Sequence, residues 1–278
     1  MSNKIQEMSI VEKILENRLS NLENLHLELQ SQVDFNPFLS AISKDIAVKS
    51  KLSRSLTAKL GNKFALIARD LCVNRFGSEN VPQIIAKESI KLNLGSSNFH
   101  HQDTLIYTDI NREELLNESS KLIRFAGQNG NQIGSKNFRN HYEKSLTYLT
   151  SLTSVEPWTT QVDLYVNDAT LGFCELESGG ELDSSNVTAQ PAKLIRAGLA
   201  LGHADKKLFF CLAYANKGEG NPIKGGLPKY ISYAELSEEE EGLLVGKKWW
   251  EKILPISITF DDFLILFSKV AVKLNIAG

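Results

Sequence analysis

The 278 residues, 42% of them apolar, are enough to bury a sizeable core as one large domain or two small ones, and they exclude a disordered chain. A net charge of −2 and a pI near 6.2 exclude a protein that is basic throughout, so any anion-binding surface must be a local patch. Three cysteines (Cys72, Cys174, Cys211) make no even disulfide framework and no zinc set, and the absence of a leader pattern or an apolar run near 18 residues predicts a soluble, cytoplasmic protein.

In chain order, Ser9-Ile10-Val11-Glu12 has the form of a capping box. It precedes apolar residues at Val11, Ile14, Leu15, Leu19, Leu22, Leu25 and Leu29, which predict a helix with one buried face. DFNPFL at 34–39 interrupts it, and Leu52, Leu56, Leu60, Phe64, Ile67 and Leu71 mark a second helix. Between residues 44 and 75 eight bases (Lys44, Lys49, Lys51, Arg54, Lys59, Lys63, Arg69, Arg75) face only two acids (Asp45, Asp70). That composition suits either a solvated polar face or one that meets phosphates.

A third helix is expected over about 112–125. The Gly- and Asn-rich stretch 127–140 reads as a long loop carrying Lys136 and Arg139, followed by a helix near 140–152. From about residue 160 the period changes to two, and QVDLYVND and LGFCELES read as strands of a hairpin turned at Asn167–Thr170. After Gly179-Gly180, the run 183–186 offers N-caps to a helix containing Leu194, Ile195, Leu199 and Leu201. KLFFCLAYA at 207–215 suits a strand buried on both faces. A glycine-rich loop (216–229), a solvated EEEE run (238–241), a helix at GKKWWEKIL (246–254) and a last helix capped by Thr259 and Asp262 complete the chain. No repeat or linker stands out, which favours one α/β domain with a mainly helical part over 1–152, a core over 160–215 and C-terminal loops and helices over 216–278.

Strand alternation places Glu175 and Glu177 on one face, about 6.6 Å apart, with Cys174 and Leu176 entering the core. The same parity turns Val162, Leu164 and Val166 inward and Asp163 outward, so hairpin pairing can gather three carboxylates. Such acids on a solvated sheet face need no function. Gathered together, they repel unless a cation neutralises them, and an all-oxygen set favours a hard divalent ion such as Mg²⁺, suited to phosphodiester hydrolysis.

QVDL, then ELE, then a helix and KLFFCLAYA resemble the PD-(D/E)XK superfamily of metal-dependent nucleases. NPFL at 36–39 and GKKWWEKIL resemble elements of its type II restriction endonucleases. The resemblance covers about a third of the chain. It implies a restriction-endonuclease-like core, a mixed central β-sheet flanked by helices, and hydrolysis of double-stranded DNA at a specific short site. It implies a homodimer functionally paired with a DNA methyltransferase. Asp163 and Glu175 would hold Mg²⁺. Glu177 stands where the motif usually has Lys, and the motif's leading Pro is absent. A glutamate there could accept a proton from water or ligate a second metal, and it leaves the one-metal mechanism and even activity open.

Lys193 and Arg196, one turn apart on the following helix, could touch phosphates or be solvated; Asn216, Lys217 and Lys224 could read bases from an otherwise ordinary loop. Lys136 and Arg139 complete the candidate DNA contacts. His100-His101 lacks a ligand set, and Trp249 and Trp250 read as core aromatics. Two rival functions are a structure-specific repair or recombination nuclease and a non-enzymatic DNA-binding or scaffold protein with a degenerate site.

Overall fold

The computed structural model describes residues 2–23, 44–86, 103–179, 186–202, 204–214 and 227–276. In chain order the elements are α1 (Ser2–Leu19), α2 (Lys44–Phe76), β1 (Ile84–Ala86), β2 (Thr104–Ile110), α3 (Arg112–Ala126), α4 (Lys136–Ser151), β3 (Glu156–Val162), β4 (Leu164–Tyr165), β5 (Gly172–Gly179), α5 (Asn186–Leu201), β6 (Lys207–Tyr214), β7 (Gly242–Val245), α6 (Lys247–Ile253) and α7 (Phe260–Lys273). The chain divides into two compact units, Met1–Arg75 with Trp250–Gly278, and Phe76–Trp249. No helix among the described residues is long and apolar enough to cross a membrane.

The first unit is helical. Val11, Leu15 and Leu19 recur every fourth residue and are buried, giving α1 one apolar face, and α1 packs on α7. α1 starts at Ser2, so Ser9 lies inside the helix and caps nothing: a capping Ser needs non-helical backbone, and the apolar repeat carries the helix past it. At α7 the expected capping box is present, with Thr259 accepting the Asp262 N–H and Asp262 accepting the Thr259 N–H. Trp250 packs against Phe64 and Phe263. Of the basic run, Arg69 is buried, and Arg75 is half-buried and donates to the carbonyls of Glu251 and Leu254.

The second unit is mixed α/β, as expected, but its strands fall in two sheets. β1 is parallel to β2 and β2 antiparallel to β3; in the other sheet β4 is antiparallel to β5, and β5, β6 and β7 are parallel. The stretch QVDLYVND is not one strand. It breaks at Asp163, with Val162 paired to Thr104 in the first sheet and Leu164 to Cys174 in the second. The hairpin itself holds: Val166 donates to the Gly172 carbonyl, and the Asp168 side chain closes the turn on Thr170. β1, β2 and β7 had no counterpart in the expected elements.

Helix α5 is the crossover between parallel β5 and β6 and packs on β2, β3, β5 and β6. Its Leu194, Ile195 and Ala197 join Ile106, Val162, Phe173, Leu208 and Phe210 in one core. α4 starts at Lys136, capped by Ser135, earlier than the Gly- and Asn-rich composition suggested. Phe138, Tyr142 and Leu146 recur at helical spacing and bury that face, which pulls Lys136 and Arg139 out of a loop and into a helix.

Candidate active site

The second acid of the hairpin is not on a solvent face. Register pairs Phe173 with Leu208, Glu175 with Phe210 and Glu177 with Leu212, so these side chains share one face of the sheet. The apolar members of that set belong to the core beneath α5. Glu175 is therefore covered, at 1% exposure, where alternation alone had turned it outward.

Asp163 lies opposite it, in the break between β3 and β4. Its Oδ2 accepts the Leu176 N–H at 2.7 Å, which ties the first acid to the strand carrying the second. Lys193 descends from α5 between them: Nζ is 2.8 Å from Asp163 Oδ1 and 2.8 Å from Glu175 Oε2. One turn earlier on α5, Gln190 Nε2 donates to Glu177 Oε1 at 3.1 Å. The crossover helix runs back along β5, so stepping forward from Glu175 to Glu177 corresponds to stepping back from Lys193 to Gln190.

Burial, and then the facing Asp163 charge, push the Glu175 carboxyl well above the usual carboxylate range, outweighing the Lys193 ammonium. Burial opposes charge on Lys193 too, but Glu175 and Asp163 more than offset it and hold the ammonium protonated. Glu175 Oε1 is buried and has no hydrogen-bond partner among the described residues. A buried, unpartnered carboxylate oxygen facing a second carboxylate suits a cation.

The expected cluster of three carboxylates is corrected. Among the described residues no three His, Cys, Asp or Glu side chains stand where they could hold a metal together, because Glu177 is turned to Gln190. Two carboxylates still suffice for Mg²⁺, which is commonly bound through one or two of them with water and substrate phosphate completing its shell. The donor set therefore fits that ion.

The other expected contacts divide. Lys136 is exposed on the first turn of α4 and Arg196 is half-buried on α5. Arg139 is not available as a DNA contact: it is buried, and its guanidinium is spent on Glu241 and on the carbonyls of Ala204 and Lys206. Its partner corrects a second expectation, since Glu241 of the EEEE run is fully buried and also accepts the Leu208 N–H at 2.8 Å. Trp249 and Trp250 are core residues. Asn216, Lys217 and Lys224, with His100-His101 and NPFL at 36–39, lie outside the described residues.

The model of the type II restriction endonuclease HinfI family matches residues 1–271. The chain belongs to this family. No curated protein and no solved structure gave a match. The HinfI-family chain is thus a type II restriction endonuclease, a hydrolase acting on DNA, and its mixed sheets flanked by helices accord with a restriction-endonuclease-like fold. The family match runs through both the helical unit and the mixed α/β unit.

From the sequence, Lys193 is expected only to touch a phosphate or to be solvated. The signal that it belongs with the acids was its position: a crossover helix leaving β5 must pass back over that strand, so its first turns lie above Glu175 and Glu177.

Proposed function

We propose that this HinfI-family endonuclease cuts duplex DNA at a specific short site through a PD-(D/E)XK-type centre in which Asp163 and Glu175 hold Mg²⁺. The observation that carries the reading is the buried Glu175 carboxylate, with Oε1 unpartnered, facing Asp163. Mg²⁺ bound there would neutralise charge on the scissile phosphate and make water a better nucleophile. The protein's own groups supply orientation. Asp163, tied to the Leu176 N–H, and Glu175, locked beneath α5, present their oxygens from two fixed strands. Glu177 is held by Gln190, one helical turn from Lys193.

The whole chain acts as one nuclease, consistent with a family match that spans both units. A homodimer, one site per strand, matches a palindromic target, and a paired DNA methyltransferase protects the host's own sites. Cytoplasmic DNA is the substrate this arrangement serves. Lys136 and Arg196, with Asn216, Lys217 and Lys224, which follow β6 in the sequence, remain candidate DNA contacts; Arg139 does not.

The test is incubation with a fully sequenced plasmid and Mg²⁺ or EDTA, followed by mapping of fragment ends. Discrete fragments sharing one short sequence, formed only with Mg²⁺ and lost in Asp163→Ala and Glu175→Ala, are the expected result. Full cleavage in either variant would overturn the site, and scattered ends would point to structure-specific cutting.

A further inference from the structure

Position 177, where the motif carries its lysine, holds a glutamate, yet a lysine reaches the centre by another route. Resting on the nuclease reading above, we propose that Lys193 is a catalytic residue: its ammonium, brought between Asp163 and Glu175 by helix α5, donates to the scissile phosphate and stabilises charge on its oxygens as water attacks.

Geometry supports this in three ways. An ammonium has three N–H donors, and two are directed at Asp163 Oδ1 and Glu175 Oε2, each at 2.8 Å, which leaves one for a phosphate oxygen. The Lys193 side chain keeps 23% of its surface exposed, and that of Asp163 18%, so the centre opens to solvent on this side while Glu175 closes the other. The position of the ammonium is set by rigid parts. Leu194, Ile195 and Ala197 beside it are buried in the core, and Gly198 lets the helix approach Leu208 and Tyr142 more closely than a side chain would permit.

Glu177 does not compete for the same place, because Gln190 holds it one helical turn away. With two of its donors set on the carboxylates of Asp163 and Glu175, Lys193 acts by charge and hydrogen bonding. In the step it assists, the water oxygen bonds to phosphorus, the opposite P–O ester bond breaks, and a proton released from the water ends on the departing oxygen. The ammonium lowers the energy of the more highly charged phosphorus centre between these events.

Three variants test this: Lys193→Met, Glu177→Lys, and the double variant, which moves the ammonium from helix to strand. Single-turnover cleavage is measured on a duplex carrying a site mapped from the plasmid, and affinity for the same duplex is measured in EDTA. K193M should lower the rate about 100- to 1,000-fold, as for removal of one transition-state donor. Its affinity should change by less than roughly tenfold, the loss of a single phosphate contact. The double variant should regain at least about tenfold of the lost rate, because the charge is again beside the phosphate.

A wild-type rate in K193M, a loss of binding that accounts for the whole loss of rate, or a double variant no faster than K193M would each overturn the proposal. If K193M fails to fold, the double variant is compared with wild type directly: folded and cleaving supports the assignment, folded and silent overturns it. Wild-type protein that never cuts with Mg²⁺ would instead remove the nuclease reading, so the two failures are distinct.

Discussion

Asp163 accepts the Leu176 N–H at 2.7 Å, and this single bond fixes the first acid of the centre to the strand of the second. Charge and tether can therefore be separated. Asp163→Asn keeps an oxygen that can accept the N–H but loses the anion. It should retain the native circular dichroism spectrum and the hydrogen-exchange protection of the Leu176 amide. Cleavage should fall on the order of 1,000-fold, since metal-assisted charge stabilisation is worth several kcal/mol. Retained cleavage would remove Asp163 from the chemistry.

The buried Arg139–Glu241 pair joins α4 to the start of β7, and Glu241 also caps the Leu208 N–H of β6. Glu241→Leu leaves a buried guanidinium unpaired and should cost about 3–5 kcal/mol in urea unfolding. Replacing both partners, as Arg139→Met with Glu241→Leu, should cost less than the single Glu241→Leu change. Because the Arg139 guanidinium is buried against Glu241, the single Arg139→Met variant, assayed below its melting range, should leave the salt dependence of DNA binding unchanged; a shallower slope would mean that it does touch a phosphate.

Gly198 faces Tyr142 and Leu208 so closely that an added Cβ would press on the Tyr142 hydroxyl and lie 3.1 Å from Leu208 Cδ2. Gly198→Ala should destabilise by about 1–3 kcal/mol through overpacking. The Tyr142 hydroxyl is buried without a hydrogen-bond partner among the described residues, and burial pushes its pKa up. Tyr142→Phe should therefore be neutral or stabilising and should recover part of the Gly198→Ala loss. Thermal melts of the two single variants and the double check this.

Asp262 is held down to about 2, first by its hydrogen bond to Lys4 and then by Thr259, from an ordinary value of 3.8. A carboxyl lowered on folding adds stability above its unfolded value and loses it as pH falls through the folded one. Its contribution should be nearly complete above about pH 4 and be lost as pH falls through about 2. Asp262→Ala should lower the melting temperature at pH 7 and lower it much less near pH 2. An equal loss at both would mean that the charged form does not matter.

Several elements were legible because they rest on neighbours in the chain. Leu52 to Leu71 at helical spacing marked α2, the continuous apolar run after Lys207 marked β6, and Thr259 with Asp262 marked the start of α7. Other features were not legible for the opposite reason. β2 pairs with β1 and with the distant β3, Glu241 looks like its exposed neighbour Glu240 until Arg139 reaches it, and Arg139 sits in a stretch whose composition says loop.

The candidate centre divides along the same line. The alternating strands and the turn between them determined that Asp163 and Glu175 would meet, since hairpin pairing acts across a short stretch of chain. The chain also carried the substitution at position 177. Only the docking of α5 decided that Glu175 is buried, that Glu177 turns to Gln190, and that Lys193 stands between the acids. That docking is the sum of many apolar contacts with β2, β3, β5 and β6, strands distant from one another in the sequence, and no local pattern encodes it.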